Sequence, residues 1–478
     1  MSAATKPAAS LPASVSERLV GFMRAQAARG VPPPVLHEAL RLLINQLKAS
    51  VGATTHPAIH TLREWAIADG HGERSAAILW FGDRATPEQA AVVNGALFEV
   101  LDFNDTYIPT FMHATSGVLP AVFAAAEETG ASGQAILTAL ALGIEVELAC
   151  ATILMPTGYF RGFVPGGLVG AIGGAAACGL LYGLDDVQLR AALGLAMCTA
   201  FGTYESVGSD TLPTIMGLVA RNGLTAARLA ALGITAPRTA FEGDKGMLSS
   251  HSDEPAAKIE TVLASLDAPA DEAWRIFGNT YKTVPTETIT HAPIECVLAI
   301  LARAGGRQVE RMVFGVEAIV VTIADERRAR FGLPSSELEA RFDLRFCAAA
   351  AWVRGRFTLA EMQEDAYTDP AILALRERIA LESDPTHQTF DGASLRVEFT
   401  DGGSESIVVP AFLGTPGNRL SDAELSDLVR RSAAPLMQPH AIETLLDAAW
   451  GLKRAGDISA LLAAARFAPP APETESHP

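Results

Sequence analysis

The sequence predicts a mainly α-helical protein with an inserted α+β domain. Three observations predict it. Residues 35–275 are almost wholly Ala/Leu-rich segments punctuated by glycine, the texture of apolar helices inside a large helical domain. From about Trp274 the chain turns β-branched and alternating. After TPGNRL (415–420) helical periodicity returns. This order implies one all-helical domain made by both chain ends, 1–275 and 412–478, interrupted by a smaller α+β domain over 276–411. At 478 residues the chain has ample length for two such cores.

The elements follow in order. The first dozen residues, ahead of SVSERL, carry no apolar signal core and read as a disordered tail. His56 and His60 in HPAIH lack the glutamate of a zinc-binding H-E-x-x-H and read as a loop and helix-start pair. Thr86-Pro87-Glu88-Gln89 starts a helix: a hydroxyl cap, Pro at the first position, Gln three residues on. AILTALALGIEVELACATIL (135–154) is apolar nearly all round. Gly162–Leu184 is uncharged and long enough to span a bilayer, but its glycines and proline suit close helix packing, so it reads as an interior helix. Asp185 with Gln188 caps the next helix.

In the insertion, VEAIVVTIAD (316–325) reads as a strand, and Thr358 with Glu361 as a helix start. LRVEFTDGGSESIVV (395–409) alternates and turns at Asp401-Gly402-Gly403, a hairpin signal. Ser421 and Glu424 form a capping box before two amphipathic helices, and the last dozen residues read as a tail.

Composition bounds the function. The net charge of −17 disfavours nucleic acid and anionic membrane as partners. The five cysteines, Cys150, Cys178, Cys198, Cys296 and Cys347, are scattered, odd in number and without C-x-x-C. They read as buried reduced thiols of a cytoplasmic protein. GGLVGAIGG matches neither a dinucleotide fingerprint nor a P-loop. No cofactor and no metal are expected. Fully apolar Gly/Ala helices offer more buried surface than one domain needs, so a dimer is expected.

Two polar stretches break the apolar texture. LDFNDTYIPTFMHATSG (101–117) gathers Asp102, Asn104, Asp105, Thr106 and His113. Burying them costs free energy unless they are paired. The acids either cap the next turn or orient a base, and His113 is either a satisfied polar residue or that base. YKTVPTETITHAPIECVLAI (281–300) sets Lys282 and His291 on either side of a Pro/Thr turn. They could hold a carboxylate near a helix N-terminus, or be an exposed lysine and a cap.

VVNGALFEVLDFNDTY, GASGQAILTALALGIEV, FEGDKGML, KTVPTETITHAPIE and TPGNRLS together resemble the MmgE/PrpD family, in the expected order, from about residue 40 to 455. The resemblance implies a cofactor-free homodimer acting on small carboxylic acids, with the α+β domain as a lid over the site. It implies Asp102, His113, Lys282 and His291 as catalytic residues. His113 would be base or acid, Asp102 its orienter, Lys282 the carboxylate anchor and His291 a second acid/base or ligand. Arg161, Tyr107 and Tyr204 are candidate substrate contacts. The implied chemistry is proton removal next to a carboxylate, ending in dehydration or decarboxylation; epimerisation of an amino- or hydroxy-dicarboxylate is the alternative, and a non-catalytic binding partner a second.

The chain departs from the family pattern at Asn104, Val164, Leu212, Ile215 and Phe346, where relatives commonly carry an acid, imidazole, lysine, histidine and an aromatic hydroxyl respectively. Val164, Leu212 and Ile215 are therefore expected to face an apolar or neutral part of the substrate. A mono- or dicarboxylate is expected rather than a tricarboxylate.

Overall fold

The computed structural model describes residues 13–68, 70, 72–267 and 273–467. The two tails expected from the sequence, 1–12 and 468–478, lie outside the described residues. The protein is mainly helical, with small sheets.

The capping signals form as read. Thr86 accepts from the Gln89 amide ahead of helix Pro87–Glu99. Asp185 and Gln188 cap helix Asp186–Met197 reciprocally, as Ser421 and Glu424 cap Asp422–Ala433. His56 caps Pro57–Ile67 through the Ala58 amide. The box of Thr358 and Glu361 opens only a short 3₁₀ turn, Leu359–Met362.

The interior helices pack by removing side chains. Thr211–Ala231 packs on Pro87–Glu99 and Pro165–Leu181, which packs in turn on Gly133–Leu154. A Cβ at Gly217 would lie 2.1 Å from the Val92 carbonyl oxygen, and one at Gly143 2.7 Å from that of Gly173. Only glycine allows these backbones to approach so closely. The glycine-rich stretch is thus an interior helix, Pro165–Leu181. Helix Gly133–Leu154 is long and apolar enough to cross a membrane by length and composition, but 89% of its most apolar window is buried within the protein.

Buried apolar residues form two clusters. One draws on residues between Val15 and Tyr281 and again between Leu420 and Ala465. The other runs from Ile289 to Phe412. The second surrounds a four-stranded sheet ordered Ile379–Ser383, Val309–Val316, Ala393–Phe399, Ser404–Val409, its first pair parallel and the others antiparallel. The hairpin alternates as expected, burying Leu395, Val397 and Phe399. Residues 316–325 correct the reading from sequence. The strand is the preceding Val309–Val316, and Ala318–Phe331 is helical. Val320, Ala324 and Arg327 are its buried positions, a helical spacing that outweighs the β-branched run. Four cysteines are buried as expected, but Cys198 is exposed, at the C-terminal cap of Asp186–Met197.

Candidate active site

Two three-residue strands assemble the site. Asp105–Tyr107 pairs antiparallel with Asn279–Tyr281, Asp105 opposite Tyr281. This lays the two polar stretches of the sequence side by side. Lys282 follows directly, and its Nζ donates to the Asp102 carbonyl at 2.9 Å and to the Asp102 carboxylate. Asp102 has φ of 47°, in the left-handed region that non-glycine residues seldom adopt. In that conformation its carbonyl and carboxylate both serve one ammonium. Lys282 is fully buried. Burial alone would raise the Asp102 carboxyl, but Lys282 first and His113 next hold it below its ordinary value.

A second lysine lies behind the first. Lys48 is fully buried, donates to the Lys282 carbonyl at 2.7 Å and sits 3.6 Å from the Phe103 ring centre. Burial, with the charge of Lys282 added, pushes it well below its usual pKa. It fixes the backbone from which Lys282 projects.

His113 caps the N-terminus of helix Ala114–Thr129. Its Nδ1 lies 2.8 Å from the Asp105 carbonyl oxygen. A carbonyl only accepts, so Nδ1 carries a proton there. Nε2 is left to face the Asp102 carboxylate at 3.6 Å and that of Glu99 at 3.8 Å. In neutral His113 this Nε2 is a free base.

Glu99, at the end of helix Pro87–Glu99, was not singled out from the sequence. It is buried and accepts from Asn104 Nδ2 at 2.6 Å. Burial raises its pKa, against the opposing charge of His113. Asn104, the departure from the family's acid, donates to Ser116 as well, at 2.7 Å. Two carboxyls thus flank one imidazole nitrogen with opposite shifts, Asp102 lowered and Glu99 raised. Such a split is how a site separates an anion from an acid.

These groups line one end of a cavity with about 110 Å³ open to the centres of water-sized molecules. Three cations line it: Lys282, Arg327 and Arg341. Arg327 pairs with Glu287 and donates to the Tyr204 hydroxyl at 3.0 Å, and Arg341 pairs with Glu337. Tyr159 also donates to Tyr204, at 3.0 Å. With both lone pairs engaged, the Tyr204 hydroxyl keeps its own hydrogen for a ligand. Val164 and Leu212 line the cavity.

Four expected site residues stand elsewhere. His291 does not line the cavity; it is buried against Phe412, with ring centres 4.8 Å apart, and burial lowers it to about 3. Arg161 is turned away to Asp253, at 2.5 Å. Tyr107 lays its ring on Gly278, where a Cβ would lie 2.6 Å from it. Ile215 is spent against Gly202. Phe346 is buried in the second apolar cluster. Arg327 and Arg341 were not singled out from the sequence: they stand in the charge-rich stretches ADERRARF and ELEAR, where nothing local marks one arginine above another. Glu99 had a signal: an acid within the apolar run ALFEVL, three residues before Asp102.

A helical interior, a small four-stranded sheet and a polar-ended cavity describe the class of protein, and sequence comparison gives the family. The MmgE/PrpD N-terminal domain model matches residues 17–260 and the C-terminal domain model residues 284–452. The chain belongs to the MmgE/PrpD family. It is 25% identical over 464 residues to cis-aconitate decarboxylase of Mus musculus, covering 94% of this chain and 92% of that protein. The Homo sapiens protein of the same name is 25% identical, with 89% of each chain covered. That of Aspergillus terreus is 24% identical, covering 80% of this chain and 82% of that protein.

Proposed function

We propose that this protein is a cofactor-independent lyase that removes a proton or CO₂ next to a carboxylate of a small organic acid, with one or two carboxylates rather than three. One observation carries the reading: His113 Nε2 faces the carboxyls of Asp102 at 3.6 Å and Glu99 at 3.8 Å, the first held below its ordinary pKa beside the Lys282 ammonium and the second raised by burial. The relatives named cis-aconitate decarboxylase support the lyase class.

In dehydration, His113 Nε2 takes the Cα proton. The electron pair moves into the carboxylate, where Lys282 stabilises the charge. The pair then expels the β-hydroxyl, which leaves as water with the Glu99 proton. In decarboxylation the C–CO₂ bond breaks first, its electrons remain on carbon, and Glu99 protonates that carbon. Asp102 stays anionic throughout and stabilises the imidazolium. The insertion around the sheet would act as a lid, since Arg327, Arg341 and Phe390 reach the cavity from it.

The test is proton NMR in D₂O of the full chain with mono-, di- and tricarboxylates, hydroxylated and unsaturated. Turnover of a mono- or dicarboxylate that His113→Asn reduces at least a hundredfold supports the reading. Failure to turn over any acid, or an undiminished rate in His113→Asn, overturns it. Preference for cis-aconitate overturns the limit on carboxylate number.

A further inference from the structure

The three cations of the cavity are already neutralised. Lys282 pairs with Asp102, Arg327 with Glu287 and Arg341 with Glu337. An incoming carboxylate therefore meets ion pairs, not free cations. It still finds donors: an ammonium has three N–H groups, and Lys282 spends two on Asp102. Beyond these paired cations and the Tyr204 hydroxyl, a second and a third carboxylate would lie against a surface that is mostly apolar.

The apolar surface has a definite shape. The Phe111 ring lies 5.5 Å from Phe390, with 12° between their planes, and 4.7 Å from Tyr159. Phe111 is held at φ of 56°, a left-handed conformation costly for a bulky residue. Three separate segments thus bring rings to one wall. Leu212, Pro213 and Met216 face the same cavity from helix Thr211–Ala231. An ionised carboxylate there would lose its hydration without gaining a partner.

We propose that the ligand of this site is an amphipathic monocarboxylate, its single carboxylate held at Lys282 and its flat apolar body lying along Phe111, Phe390 and Leu212. As a statement about substrate this rests on the lyase reading; as a statement about binding it rests on the cavity alone.

Binding is therefore measured apart from turnover, by isothermal titration calorimetry on the full chain. The probes are cinnamate, a medium-chain 2-enoate and cis-aconitate. The wild type is expected to bind cinnamate or the 2-enoate at least tenfold more tightly than cis-aconitate. Phe390→Ala, at a half-buried loop position, is expected to weaken the preferred probe about tenfold. Leu212→Lys is expected to narrow the gap by strengthening cis-aconitate. The proposal is overturned if cis-aconitate binds as tightly as either monocarboxylate, if neither monocarboxylate binds, or if Phe390→Ala and Leu212→Lys leave the affinities unchanged. The expected binding pattern without turnover of any acid would remove the lyase reading and leave this one standing. Turnover of cis-aconitate together with tight cis-aconitate binding would do the reverse.

Discussion

Glu99→Gln and Asp102→Asn each remove a carboxyl from beside His113 Nε2, yet their effects should be opposite in kind. Asp102 neutralises Lys282, which is fully buried. Asp102→Asn strands that ammonium, and breaking a buried pair on one side costs about 3–5 kcal/mol. Among the described residues Glu99 pairs with no lysine or arginine, and its raised pKa favours the neutral form. Glutamine reproduces that form, and its amide oxygen can still accept from Asn104 Nδ2. The stability cost of Glu99→Gln should stay within about 1 kcal/mol at neutral pH.

Its pH dependence follows from the sign of the shift. Above the ordinary carboxyl value of 4.5 the unfolded chain has released the Glu99 proton while the folded protein keeps it. Stability from this group therefore falls as pH rises through that window. Glutamine has no proton to lose, so Glu99→Gln should gain on the wild type from pH 5 upward. In catalysis Glu99→Gln is not mild. Loss of a positioned acid should lower kcat about 10²–10⁴-fold with KM little changed. The assays are thermal unfolding at pH 5 and pH 8, and initial rates on the acid identified by NMR. A Glu99→Gln variant with wild-type kcat, or one as unstable as Asp102→Asn, would refute the division of roles between the two carboxyls.

Other perturbations test the frame around the site. His291, buried and lowered to about 3, stays neutral in the fold while the unfolded chain takes up a proton below about 6.5. Stability should fall by about 1.4 kcal/mol per pH unit in that window, and His291→Gln should lose this slope in unfolding experiments between pH 7 and pH 5. Gly217→Ala drives a Cβ to 2.1 Å from the Val92 carbonyl and should cost about 3 kcal/mol. Gly21→Ala, in helix Val15–Arg29 with nothing within 4 Å of its Cβ position, should gain about 0.5–1 kcal/mol. Light scattering at micromolar concentration should return a homodimer; a monomer would contradict the assembly inferred from the apolar helices.

What the sequence disclosed depended on how local each signal was. Capping pairs and the Asp401-Gly402-Gly403 turn are decided within a few residues, and they form as read. The VVTI run in 316–325 satisfied a local strand signal, but the helical spacing of Val320, Ala324 and Arg327 decided the outcome through burial. The strands Asp105–Tyr107 and Asn279–Tyr281 are too short to show any period. Their pairing was invisible, although it alone unites Asp102 with Lys282. His291 and Lys282 lie in one segment, yet only Lys282 reaches the cavity. The direction of a side chain after a turn is a tertiary fact.

Glu99 and Asn104 make sense only together. An acid at 104, within 2.6 Å of Glu99, would set two buried carboxyls against each other and force them to share a proton. An amide instead donates to one Glu99 oxygen and leaves the other to face His113. Asn104 is therefore not merely a lost acid but the complement of the acid at 99. The same logic extends to the far wall. Leu212 in place of a cation leaves nothing there to hold a further carboxylate, and the existing cations are already paired with Asp102, Glu287 and Glu337. The departures thus act in one direction. In the proposed reaction, Asn104 keeps the proton chemistry at His113 while Leu212 removes charge that a multiply ionised substrate would require.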